Sequence, residues 1–162
     1  MKILYRYLVF LLVFAACQEN DKNNIYDYVN PFVGTGGHGH TFPGPTLPFG
    51  MVQLGPDTRL TGWDGCSGYH YTDSIIYGFS HTHLSGTGIS DYGDVLLMPF
   101  NNTSGIDLEQ ISNQKQIPSH FDKQTEIAQP GYYEVLLEKP NIEVKLTTTT
   151  RVGIHKYKFN KI

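Results

Sequence analysis

Two stretches of the chain carry histidines at the same spacing, His38 and His40 in GGHGHTF and His81 and His83 in FSHTHLSG. On an extended backbone, residues two apart face the same side, so each pair could aim two imidazoles at one ligand. Imidazole is a common ligand of zinc and copper, and a histidine-based metal site is one expectation. No thiolate stands at ligand spacing beside them, so histidines hydrogen-bonded inside a polar cleft are the plainer alternative. A different chemistry is written in TGWDGCSGYHY, residues 61–71. Trp63, the only tryptophan, adjoins Asp64 among Gly62, Gly65 and Gly68. Glycine lets a backbone approach a ligand closely. A flat indole matches the C–H face of a sugar ring, and a neighbouring carboxylate accepts hydrogen bonds from hydroxyls. That set suits a saccharide site, set against a core tryptophan in a tight turn. Asp57, Asp64, Asp91 and Asp94 are the carboxylates in or near these motifs. Each is a candidate for acid–base chemistry, with a structural role in a turn as the simpler expectation.

The elements that must hold these residues are short. From Tyr26 to Phe100 the chain is punctuated every few residues by Gly, Pro, Asp or Asn, and no window keeps an apolar 3.6-residue period. Short strands are expected at Met51–Leu54, Ile76–Ser80 and Asp94–Pro99, the last with an apolar run, VLLM, that fits a buried strand. Residues 101–125 turn polar and read as a surface excursion. After Pro130-Gly131, YYEVLLE and NIEVKLTTTTRVGIHKYKF are rich in β-branched and aromatic residues. There Ile142, Val144 and Leu146 alternate with Glu143, Lys145 and Thr147, the mark of a half-buried strand. Antiparallel strands joined by a turn at Lys139-Pro140-Asn141 follow, and the fold class is all-β, an antiparallel β-sandwich. The chain stops at Phe159–Ile162, directly after strand-like sequence, which would leave an unpaired edge. We expect the natural protein to continue.

At 162 residues and 40% apolar composition, the chain reads as about one globular domain. A net charge of −3 with scattered basic residues gives no electrostatic footprint for nucleic acid. The first twenty residues, MKILYRYLVFLLVFAACQEN, are a separate object. Lys2 and Arg6 precede an apolar core from Leu8 to Ala16, and small residues precede Cys17, the layout of an export signal. The apolar run of roughly 10 residues is too short to span a bilayer, which takes about 20. Its FAAC ending resembles a bacterial lipoprotein signal, with Phe14 where leucine is usual. That resemblance implies a signal at residues 1–17, lipid on Cys17, a polar tether over residues 18–27, and an exported Gram-negative lipoprotein held to a membrane. The outer membrane, the cell surface or a periplasmic face would fit. An ordinary cleaved signal with an incidental cysteine is the alternative. With Cys17 lipidated, Cys66 has no partner in a chain of two cysteines, which excludes a disulfide scaffold.

Three blocks then act together: YVNPFVGTGGHGHTFPGPTLPFGMVQLGPDT, GCSGYHY and GFSHTHLSGTGISDYGDVLLMP. In this order they resemble the amino-terminal domain of glycoside hydrolase family 92, and AQPGYYEVLLE and KLTTTTRVGIHKYKF resemble its later strands. The resemblance covers residues 28–162 and implies a β-sandwich packed on a larger helical (α/α)6 domain, truncated here. It further implies a calcium-dependent, inverting α-mannosidase acting on mannose-containing glycans, with α-1,2 linkages as the expected target. By motif position, Trp63, Asp64 and Cys66 would shape the mannose pocket, and His81 and His83 would lie near the domain junction. Inverting hydrolysis needs a general acid and a general base about 6.5–9.5 Å apart. In the family both come from the helical domain, as do most calcium contacts. This chain alone is therefore expected to be inactive. A stand-alone carbohydrate-binding surface lipoprotein is the competing reading.

Overall fold

The computed structural model describes residues 24–59, 61–86, 88–91, 93–101 and 117–161. The expected signal, Cys17 and most of the expected tether lie outside them, as does most of the polar excursion. Two single turns of 3-10 helix, Ile25–Tyr28 and Lys123–Thr125, are the helical elements among the described residues. Everything else regular is strand, and every ladder is antiparallel.

The strands are β1 (Gly55–Asp57), β2 (Ile75–Ile76), β3 (Gly78–Ser80), β4 (Ser119–His120), β5 (Ile127–Gln129), β6 (Tyr132–Leu137), β7 (Ile142–Thr148) and β8 (Gly153–Phe159). The last four form one sheet in the order β5-β6-β7-β8. Here the alternating sequence does what its period requires. Ile142, Val144 and Leu146 are fully buried on one face, opposite Leu137, Val135 and Tyr133 of β6. The outward row carries cross-strand ion pairs, Lys145 to Glu134 and Lys158 to Glu143, each at 2.9 Å. The β6–β7 turn closes where expected, with Asn141 at φ 51° and its N–H donating to the Glu138 carbonyl. Asparagine is among the residues that tolerate the left-handed region.

Against the buried face of this sheet lies a second layer made of loops and two small ladders, β1 with β3 and β2 with β4. Leu54, Ile76, Phe79 and Phe121 from this layer join the sheet residues in one apolar core. A buried polar group also ties the layers together. Glu126 accepts hydrogen bonds from the hydroxyls of Tyr69 and Tyr133 at 3.0 and 2.6 Å, and Lys123 Nζ approaches it at 3.0 Å. The same ammonium lies over the rings of Tyr69, Tyr71 and Phe121 at 4.6–4.9 Å from their centroids. Burial and the adjacent Glu126 charge push both tyrosine hydroxyls well above the usual tyrosine range.

Two expected strands are absent. Met51–Leu54 makes a single bridge, Thr46 to Gln53. Its partner segment contains Pro43, Pro45 and Pro48, which have no N–H to extend a ladder. Asp94–Pro99 likewise makes one bridge, Leu97 to Phe79, and Val95, Leu96 and Leu97 are exposed rather than buried. Val95 has φ 56°, which turns the chain off the strand path. Ile76–Ser80 is strand on both sides of a break at Tyr77.

Candidate functional site

The site is built from the β1–β3 ladder outward. β1 ends at Asp57, opposite Gly78 in register and two residues from the level of Ser80. The Asp57 carboxylate is buried and accepts the Ser80 N–H at 2.8 Å and the Ser80 hydroxyl at 3.0 Å. His83 Nε2 stands 3.3 Å from the same carboxylate. His83 Nδ1 donates to the Gln53 carbonyl at 2.7 Å, which fixes the proton on that nitrogen. The ring stacks on Phe42 with centroids 4.6 Å apart. Gly68 closes this corner at φ 81°, and a Cβ there would sit 2.8 Å from an Asp57 oxygen and 2.9 Å from the His83 ring. Only glycine gives both the left-handed backbone and the room.

Beside this corner is a small cleft of about 120 Å³, lined by Asp57, Arg59, Cys66, His83, Ser90 and Asp91 among others. Arg59 is held in a fork by Asp73, with Nε and Nη2 contacts of 2.9–3.2 Å, and Thr58 donates to the same carboxylate. The guanidinium is thereby positioned at the wall of the cleft. Trp63 and Asp64 immediately precede the lining residues Gly65 and Cys66, and Ser90 of the cleft donates to the Gly62 carbonyl at 3.3 Å. Trp63 is 58% exposed, which excludes the core-tryptophan reading. His38 and His40 pack on its indole with centroids 5.0 and 4.4 Å away. Asp64 accepts from His38 Nδ1 at 2.6 Å, and that hydrogen bond holds its carboxyl below the usual range.

His38 and His40 share the Trp63 indole, but the two histidine pairs do not come together as one ligand set. His40 has φ 54°, so the stretch is not extended; His38 is exposed and His40 is buried. His83 turns inward to Asp57, whereas His81 turns to β8, where its Nε2 meets His155 Nε2 at 3.2 Å. His81 Nδ1 donates to the Val95 carbonyl at 3.0 Å, and His155 Nδ1 pairs with the Tyr157 hydroxyl at 2.8 Å. Partial burial and the neighbouring His81 depress His155 to about 4, and burial raises Tyr157 to about 12. Among the described residues no three His, Cys, Asp or Glu side chains gather as a metal site. Of the two readings of the histidines, hydrogen-bonded side chains rather than one shared metal centre describe His81 and His83.

Of the expected site residues, Cys66 and His83 reach the cleft, Trp63 and Asp64 flank it, and His81 leaves it. Asp91 lines it, while Asp94 is exposed and linked to Thr82. Sequence reasoning passed over Arg59, although a lone arginine between Asp57 and Trp63 in DTRLTGWD is a visible signal. It also passed over Asp73 and His155, whose partners are 14 and 74 residues away.

A family model described as the glycosyl hydrolase family 92 N-terminal domain matches residues 28–162. A family 92 α-mannosidase from Bacteroides thetaiotaomicron, solved with mannoimidazole, superposes with a TM-score of 0.72 at 40% identity, covering 82% of this chain and 18% of that one. An inverting mannosidase of the same family and species superposes with a TM-score of 0.64 at 25% identity, over 88% of this chain and 19% of that one. An uncharacterized secreted glycosidase of Arthroderma benhamiae is 31% identical over 147 residues, 90% of this chain and 18% of its own length. The chain spans less than a fifth of the length of these relatives.

Proposed function

The chain belongs to glycosyl hydrolase family 92 as its N-terminal domain, and we propose that it forms one wall of an α-mannoside pocket whose catalytic groups lie elsewhere in a longer enzyme. The observation that carries this reading is the exposed Trp63 face standing next to a small cleft walled by Asp57, Arg59, Cys66 and His83. An apolar ring face with fixed polar groups around it is the general form of a small-ligand site. Two relatives are mannosidases, one of them solved with mannoimidazole, and this supports mannose as the sugar. We assign inversion by analogy with the inverting relative. The α-1,2 linkage is our first assignment, separable by comparing mannobiosides.

The carboxylates of this chain suit the wall rather than the reaction. A general acid is tuned upward towards the working pH, whereas the carboxyl of Asp64 is held down by His38 and that of Glu143 by Lys158. Asp57 is engaged by Ser80 and His83, and Glu126 by two tyrosines. We assign the acid and base to a helical partner domain. Calcium takes six to eight oxygen ligands, and the described residues gather no such carboxylate set. They do not fit a calcium site by themselves, and any calcium is assigned to the partner domain as well. Phe49, Met51 and Val152 are exposed apolar side chains, and the Met51 N–H donates to the Thr150 carbonyl two residues before Val152; we assign them to the face that docks that domain. Export is consistent with kinship to a secreted glycosidase. Lipid on Cys17 would anchor the protein at about 0.8 kcal/mol per buried methylene.

Calorimetric titration of the chain with methyl α-mannoside and methyl α-glucoside tests the reading. Mannoside binding that weakens about tenfold, roughly 1.4 kcal/mol, on Trp63→Ala supports it. Equal binding of both sugars, or no effect of the substitution, refutes it.

A further inference from the structure

His81 and His155 stand apart from the sugar cleft, and nothing in the mannoside reading uses them. Their Nε2 atoms face one another at 3.2 Å. Two imidazoles bound to one tetrahedral ion at about 2.0–2.1 Å place their nitrogens roughly 3.3–3.4 Å apart, so the pair stands within about 0.2 Å of that spacing, and the two rings need only turn to aim their lone pairs at one ion. Each ring is also held from behind. His81 Nδ1 donates to the Val95 carbonyl, which leaves its Nε2 unprotonated, as an acceptor that a metal ion can take over. His155 Nδ1 faces the Tyr157 hydroxyl, whose oxygen can accept as well as donate. An oxygen partner behind each imidazole is the outer-shell arrangement that orients metal-ligating histidines.

The pair sits on a prepared frame. His155 is central in β8, paired opposite Leu146 of β7, and His81 directly follows β3. Gly153 opens the space for their approach, since a Cβ there would stand 2.7 Å from the His81 ring. Both rings are partly exposed, so an ion can reach them.

We propose that His81 and His155 form a two-imidazole binding site for a divalent transition-metal ion of the zinc or copper class. Without metal, His155 Nε2–H donates to His81 Nε2, and its Nδ1 accepts from Tyr157. With metal, the His155 proton resides on Nδ1 and the Tyr157 hydroxyl turns to accept it. No third His, Cys, Asp or Glu joins the pair among the described residues. Water or a donor from the rest of a longer protein completes the coordination.

The test is titration of the tag-free full chain with zinc chloride, followed by nitrogen NMR of the imidazoles. The expected result is saturable binding at one ion per chain, with the Nε2 resonances of His81 and His155 moving together. His155→Gln should abolish those shifts, and Tyr157→Phe, which keeps the ring and loses only the hydroxyl, should weaken binding by about tenfold. His38→Ala should leave it unchanged. Saturation with zinc that leaves both Nε2 resonances in place overturns the proposal, as does unaltered affinity in Tyr157→Phe with unmoved His155 resonances. These readouts involve no sugar, so they stand or fall independently of the mannoside reading.

Discussion

Replacing His155 with glutamine should change how stability depends on pH. In the native fold His155 titrates at about 4, against 6.5 for an ordinary imidazole, first because of burial and then because of the His81 charge. Between these values the unfolded chain binds a proton that the folded chain refuses. Stability from this group is therefore fully present above pH 6.5 and is lost as pH falls towards 4. If the ring were wholly sequestered, the difference would amount to about 3 kcal/mol at about 1.36 kcal/mol per pKa unit. His155 is only partly buried, and solvent screening reduces the expected effect to about 1–2 kcal/mol. The structural cause is specific. A protonated His155 loses the lone pair that accepts from Tyr157 and faces the His81 ring 4.8 Å away between centroids. Urea unfolding at pH 7.5, 6.5, 5.5 and 4.5, in the presence of a chelator, gives the comparison. The drop in unfolding free energy from pH 7.5 to 4.5 should be smaller in His155→Gln than in the parent by about 1–2 kcal/mol. Parallel pH profiles for the two proteins would refute the argument, because every other carboxylate and histidine is common to both.

Two further substitutions probe the frame of the site. Glu126→Ala removes the acceptor shared by Tyr69 and Tyr133 and strands the Lys123 ammonium near its aromatic rings. Denaturation should show a loss of about 3 kcal/mol, and a loss below about 1 kcal/mol would mean that the layers are not braced there. Leu146→Ala empties a fully buried position on β7. It should cost about 2–5 kcal/mol by chemical denaturation, whereas Thr147→Ala on the outward face should cost far less.

The sheet was legible because its signal is local. Ile142, Val144 and Leu146 alternate with polar residues, and the period of two alone selects which row is buried. The same reasoning misread VLLM, where apolar composition suggested a buried strand but the left-handed Val95 sends three apolar residues to the surface. The candidate residues could be picked out by type, whereas their placement could not. Trp63, Asp64 and Cys66 are consecutive or nearly so and stay together. His81 and His83, equally close in sequence, part company because each is claimed by a distant partner, His155 and Asp57 respectively. Spacing along the chain carries no information about such partners. Arg59 escaped notice because its role depends on Asp73, which lies across a turn.

Trp63 is the only tryptophan of the chain, so its indole N–H gives one NMR signal that reports on the proposed sugar wall alone. The most direct measurement is to follow that signal while methyl α-mannoside is added, with methyl α-glucoside as the control. The account predicts a saturable shift with mannoside, accompanied by the backbone amides of Gly65, Cys66 and Ser90, and little response to glucoside. An indole signal that stays fixed at saturating mannoside, or that moves equally for both sugars, would contradict it.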